Sequence, residues 1–115
     1  MDMNLFETAQ LIDEQDRAAQ SYLEFLRVPS ISAGLYTLAA GSIDTQEPHT
    51  EDEVYYVISG RASFRAGSED RAVQAGSIIY VKAHVEHRFH SISEDLRVLV
   101  IFAPAEYSNA PAGHP

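Results

Sequence analysis

Turn-forming residues interrupt this chain at short, nearly regular intervals: Pro29-Ser30, Gly34, Gly41, Pro48, Ser59-Gly60, Gly67-Ser68, Gly76 and Pro104. Between them lie runs rich in β-branched and aromatic residues, namely Tyr22–Val28, Ile31–Ala39, Val54–Ile58, Arg61–Ala66, Ser77–Val81, His87–Ile92 and Leu96–Phe102. Short strands with turn signals at this spacing predict an all-β sandwich or barrel. Only Leu5–Gln20, with Leu5, Ala9 and Ile12 at helical spacing, suits a helix. At 115 residues the chain fits one domain. We divide it into an N-terminal arm (1–21), a barrel (22–103) and a C-terminal tail (104–115), whose stretch Ser108 to Pro115 is rich in Ala, Pro and Gly and is expected to fray.

Charge and composition narrow the function. Eight Lys+Arg against 17 Asp+Glu leave a net charge of −9, and no basic patch is visible, which argues against nucleic-acid and anionic membrane partners. No apolar run approaches the roughly 20 residues of a membrane span. Cysteine is absent, so neither disulfides nor thiolate chemistry arise. The acidic N-terminus does not read as a secretion signal, and a cytoplasmic location is expected.

In Val54–Ile58 and Val98–Phe102 both strand faces are apolar, whereas a sheet wet on one side alternates. Both faces are therefore expected to be covered. A second subunit, giving a homodimer, is preferred over the alternative that the N-terminal segment lies across the outer face.

Chemistry concentrates in Glu47-Pro48-His49-Thr50-Glu51-Asp52-Glu53, where four carboxylates and an imidazole fall with no Lys or Arg anywhere from Val28 to Gly60. Glu53 opens an apolar strand and shares a face with Tyr55 and Val57. Carboxylates crowded together out of water raise one another's pKa, and a divalent cation removes that cost. Glu47 and His49 share a face if this stretch is extended. Glu51 and Asp52 read as a solvated turn, with an outer acceptor for a metal-ligating side chain as the alternative for either. In the second histidine-rich stretch, His84 to His90, His87 shares a face with Phe89, so if Phe89 points into the barrel His87 does too. A glutamate and a histidine from one hairpin with a histidine from another would make a two-histidine, one-carboxylate set, as used by non-haem iron and catalytic zinc.

These two segments resemble the cupin superfamily. Its first motif, G-x5-H-x-H-x3-E-x6-G, is matched in spacing by Gly41, Glu47, His49, Glu53 and Gly60, with Glu47 in place of the first histidine. Its second, G-x5-P-x-G-x2-H-x3-N, is matched in spacing by Gly76, Lys82, His84, His87 and Ser91, with Lys82, His84 and Ser91 replacing Pro, Gly and Asn. The turn before His87 is therefore expected to differ in shape. The resemblance spans about Tyr22 to Phe102. It implies a double-stranded β-helix, a jelly-roll barrel. It also implies metal-ligand roles for His49, Glu53 and His87, with Glu47 either a fourth ligand or a free carboxylate facing water or taking a proton from substrate.

The cofactor implied is a divalent ion of iron, manganese, nickel, zinc or copper. The expected function is a metal-dependent enzyme acting on a small organic molecule, with dioxygenase-type oxidation first and metal-assisted isomerisation, cyclisation or lyase chemistry next. A non-enzymatic binding or sensing barrel is the alternative from another class. Tyr55, His84 and Phe89 are the residues placed around the pocket. For Tyr55 core packing is the preferred role, and for His84 a place on the surface. Arg61, Arg65 and His90 are expected to lack a role, as is His114.

Overall fold

In the computed structural model, which describes residues 2–109, the chain forms one helix and six strands. These are α1 (Thr8–Ala18), β1 (Tyr22–Val28), β2 (Ile31–Leu38), β3 (Asp52–Ala66), β4 (Glu69–Gln74), β5 (Ile78–Val81) and β6 (His87–Ala103). All pairings are antiparallel, in the order β1-β2-β6-β3-β4, with β5 paired to the first half of β3. The all-β jelly-roll barrel expected from the sequence is the fold observed.

Two pairs of expected strands are each one long strand. Val54–Ile58 and Arg61–Ala66 join as β3, and His87–Ile92 and Leu96–Phe102 join as β6. The reason lies at Gly60, which marks a bend and not a chain reversal. Its φ is 103°, and a Cβ there would come within 2.3 Å of the Asp95 carbonyl oxygen. The β3–β6 register shifts between Val57 and Ser63, so the ribbon bulges and coils where the two strands press together. The polar strand β4 carried no apolar alternation and was not expected.

Period-two alternation then builds the core. Glu53, Tyr55 and Val57 on β3 face inward and register against Phe102, Val100 and Val98 on β6. Phe64 registers against Phe89 on the far half of the same ribbon. Phe64 and Phe89 both lie edge-to-face with Tyr55, at 5.5 and 5.3 Å between centroids. Each fully buried side chain of this size contributes roughly 1.5–3 kcal/mol of transfer free energy, offset largely by chain entropy.

The outer faces are covered unequally. Over β2, Leu35 and Ala33 are buried beneath the N-terminal arm, whose Gln15 Nε2 donates to the Leu35 carbonyl at 2.9 Å while Asp16 pairs with Arg97 at 2.6 Å. Over β3 and β5, Tyr56, Ile78 and Tyr80 remain 43, 72 and 62% exposed. The arm thus covers one half of the outer surface and leaves the other open.

The segment after Pro104 does not fray at its start. Glu106 N donates to Ser32 Oγ at 2.9 Å, Tyr107 N to Glu51 Oε1 at 2.8 Å, and Asn109 N to Glu51 Oε2 at 2.9 Å. Residues 110–115, including His114, lie outside the described residues.

Candidate metal centre

His49, Glu53 and His87 each bring one ligand-type atom to a common point, all within 4.8 Å of one another. Glu53 and His87 are buried and His49 is half-buried. Glu53 enters from the start of β3, His87 from the start of β6, and His49 from the loop preceding β3. His87 Nε2 lies 2.7 Å from Glu53 Oε1, and His49 Nε2 lies 3.9 Å from the same oxygen.

This donor set fits a divalent ion. Both Glu53 oxygens are buried and receive no well-directed hydrogen bond, although His87 is so near. Buried carboxylates ordinarily satisfy their lone pairs with donors, and a cation fills the same need. His87 Nδ1 donates to the Val85 carbonyl at 2.8 Å, which fixes the tautomer and turns the Nε2 lone pair inward. On His49, Nδ1 lies 3.6 Å from Glu106 Oε2, the usual kind of outer partner for a ligating histidine.

Protonation follows from these neighbours. Burial dominates at His49 and holds its pKa below the ordinary value, with Glu53 only partly compensating. At His87 burial acts the same way, but the closeness of the Glu53 carboxylate overrides it and the pKa is raised. Burial pushes the Glu106 carboxyl up to about 7, reinforced by repulsion from Glu24 and Glu53. Tyr55 is raised well above its ordinary value by burial and by Glu53, so its hydroxyl stays protonated.

Glu47 stands outside this group. It is exposed, and Gln46 points inward in its stead, with Oε1 3.3 Å from His49 Nε2 and accepting from Tyr55 Oη at 2.8 Å. The face-sharing of Glu47 and His49 presupposed an extended strand, and residues 42–51 form none. Asp44 sets the loop instead. It is buried and accepts from Gln46 N, Gln46 Nε2, Tyr36 Oη and Phe89 N. The bond from Gln46 N two residues on is an Asx-turn, the one local signal that could have placed this loop.

Of the residues placed around the pocket, Tyr55 both packs the core and presents its hydroxyl to Gln46 and His87. Phe89 is core, stacked edge-to-face under Tyr55 and Phe64. His84 is exposed on the turn, where its N–H donates to the His49 carbonyl at 2.7 Å. Its φ of 70° keeps the left-handed conformation glycine favours, so at this residue the turn tolerates the replacement. Asp52 is exposed as expected, but Glu51 is buried at 1% exposure, and its carboxyl is held below the ordinary range: burial opposes this, and the Thr50 hydroxyl with the Asn109 and Tyr107 N–H groups overcomes it. The burial of Glu51 and the place of Glu106 in the site carry no local signal, because Tyr107 and Asn109, which donate to Glu51, and His49, which faces Glu106, lie more than fifty residues away in the chain. Beside His49 opens a cavity of about 420 Å³, lined also by Tyr22, Tyr36, Gln46, Tyr55, Phe102 and Glu106.

Known proteins share this architecture. Among solved structures, TT1209 from Thermus thermophilus superposes with a TM-score of 0.68 at 21% identity, over 90% of this chain and 99% of that one. KdgF from a Halomonas species gives 0.66 at 21% identity, over 72 and 76%. The DMSP lyase DddQ from Ruegeria pomeroyi gives 0.64 at 17% identity, over 74 and 48%. At these identities the likeness is one of fold. An uncharacterized protein of Streptomyces coelicolor is 56% identical over 95 residues, which are 81% of this chain and 90% of that one. No helix among the described residues is long and apolar enough to cross a membrane. The family model for the cupin domain matches residues 34–102, the span from β2 to the end of the barrel that carries all three converging residues, and the chain belongs to that family.

Proposed function

We propose that this protein is a metal-dependent cupin enzyme acting on a small organic molecule in the cavity beside His49, with dioxygenase-type oxidation as its reaction. One observation carries the reading: three ligand-type side chains converge within 4.8 Å, and the carboxylate among them is buried with both oxygens lacking well-directed donors. A divalent ion held by His49, Glu53 and His87 would supply Lewis-acid polarisation and, if iron, dioxygen chemistry, because three protein ligands leave coordination positions open.

The chain's own residues do the rest. The Val85 carbonyl orients the His87 imidazole from behind, and the Glu106 carboxyl stands 3.6 Å from His49 Nδ1. Tyr55 and Gln46, linked to each other, bound the site on the cavity side. Phe102 lies edge-to-face against His49 at 4.8 Å and, with Val100, forms the apolar wall that limits water.

A second reading, metal-assisted isomerase, cyclase or lyase chemistry, is favoured by the Glu106 carboxyl, which stands inside the cavity where it can take and return a substrate proton. Glu47, exposed on the loop, is replaced by Glu106 in that role. A homodimer completes the proposal, with a second copy covering Tyr56, Ile78 and Tyr80.

Elemental analysis of protein purified without chelator tests the metal. Oxygen consumption by the iron-loaded protein with candidate substrates then separates oxidation from proton-transfer chemistry. Absence of metal, with no uptake on reconstitution, would leave a binding barrel.

A further inference from the structure

The wall of the cavity beside His49 is selective in charge. Two carboxylates line it, Glu24 and Glu106, and no lysine or arginine does so. Arg27 holds both Glu24 oxygens, at 2.6 and 3.1 Å, and donates to the backbone carbonyl of Glu106 at 3.0 Å. Glu24 is thereby paired, and the side-chain carboxyl of Glu106 is the cavity carboxyl that Arg27 does not hold, with the His49 imidazole 3.6 Å from its Oε2. The carboxylates of Glu24, Glu53 and Glu51 lie around Glu106, as do the Arg27 guanidinium and the His49 imidazole.

Tyr22 adds a second unspent group. Its hydroxyl is buried and has no hydrogen-bond partner. The seat is built for it: a Cβ on Gly34 would come within 2.4 Å of the Tyr22 ring and hydroxyl, so only glycine at that position admits the ring. An oriented buried donor without an acceptor is costly, and a ligand oxygen would relieve it. The Tyr22 and Tyr36 rings meet edge-to-face at 6.4 Å and give the wall π faces, which attract cations.

We propose that the cavity receives a small organic cation of the ammonium type that also bears a hydroxyl or carbonyl oxygen, with the cationic head against Glu106 and the tyrosine rings and the oxygen accepting from Tyr22. In the metal-free cavity a carboxylate or phosphate in the same place would meet like charge and ring faces, with no lysine or arginine in the lining to pair with. The net charge of −9 favours encounter with cations as well. The proposal rests on the reading of this cavity as the substrate site.

Choline, its uncharged isostere dimethylbutanol and the anion dimethylbutyrate share one shape and test the charge preference by calorimetric titration of the metal-free and the zinc-loaded protein. Choline is expected to bind tightest in both, roughly fivefold or more over dimethylbutanol, with dimethylbutyrate weakest. Glu106→Gln should bring choline down to the level of dimethylbutanol, and Tyr22→Phe should weaken both alcohols alike. Equal binding of choline and dimethylbutanol, tighter binding of dimethylbutyrate, or no binding of any of the three overturns the proposal. Metal content measured on the same samples keeps the two readings apart. Loss of zinc uptake with the charge order intact sinks the metal reading alone, and zinc uptake without the charge order sinks the cation site alone.

Discussion

His87 Nε2 lies 2.7 Å from Glu53 Oε1, although His87 registers opposite Ala66 at the other end of β3. A flat ribbon of that length would hold the two residues roughly 40 Å apart. The contact therefore measures how far the β3–β6 ribbon has curled, and it is this closure that assembles the candidate centre.

Removing one member of that pair should dismantle the site. His87→Ala is expected to abolish stoichiometric metal content in elemental analysis. Metal at a hundredfold over its Kd stabilises a fold by about 2.7 kcal/mol, so the wild-type melting temperature should rise on loading by about 10 °C or more. The variant should show no such rise. A variant that retains full metal content would remove His87 from the ligand set.

Gln46 and Glu47 make opposite predictions. Glu47→Gln, at an exposed position, should leave zinc affinity within about twofold of wild type, as surface substitutions usually do. Gln46→Ala removes the acceptor of Tyr55 and a donor to Asp44, and should weaken affinity roughly tenfold. Competition against a fluorescent chelator reads both, and the reverse order would return Glu47 to the centre.

Glu51 fastens the segment carrying Glu106 to the loop carrying His49. Glu51→Ala deletes two backbone hydrogen bonds to a charged acceptor and should cost about 2–4 kcal/mol in denaturant unfolding. Amide exchange at Tyr107 and Asn109 should accelerate in the folded variant, and unchanged exchange there would show that the latch is not needed. Because this carboxyl's folded pKa is depressed, its contribution is present above about pH 4.5 and is lost as pH falls through the folded value.

Glu106 has the opposite sign. Its pKa rises from 4.5 to about 7 in the fold, so the unfolded chain ionises first. In the metal-free protein the contribution of Glu106 should be lost as pH rises from about 4.5 to 7, by roughly 3 kcal/mol at most. Glu106→Gln should flatten that interval in thermal melts taken across pH. A variant whose profile still falls there would assign the loss to another group.

The open half of the outer surface predicts association. Tyr80 and Ile78 on β5 stand beside Val54 and Tyr56 on β3, on one apolar face. Tyr80→Asp should convert a dimer to a monomer in sedimentation velocity while the melting transition of the monomer remains cooperative. A wild-type protein that sediments as a monomer at micromolar concentration would refute the homodimer.

The sequence by itself determined what local periodicity controls. Alternation along Glu53, Tyr55 and Val57, and along His87 and Phe89, decides which side chains face inward whatever the rest of the chain does, because a strand's side chains change face at every residue. For the same reason Glu53 and His87 could be read in advance, whereas His49, in a loop with no strand period, was marked only by the motif spacing that resembles the cupins. Tertiary structure alone decided the remainder. Gln46 replaces Glu47 because Asp44 turns a loop that has no strand period, and four donors from three parts of the chain fix that turn. Gly60 extends β3 where a turn was expected, since the Asp95 carbonyl presses against it from another strand. Glu51, Glu106 and Tyr22 acquire their places through partners remote in sequence or through a space left by Gly34. Contacts of that kind carry no local signature, because they exist only once the ribbon has closed.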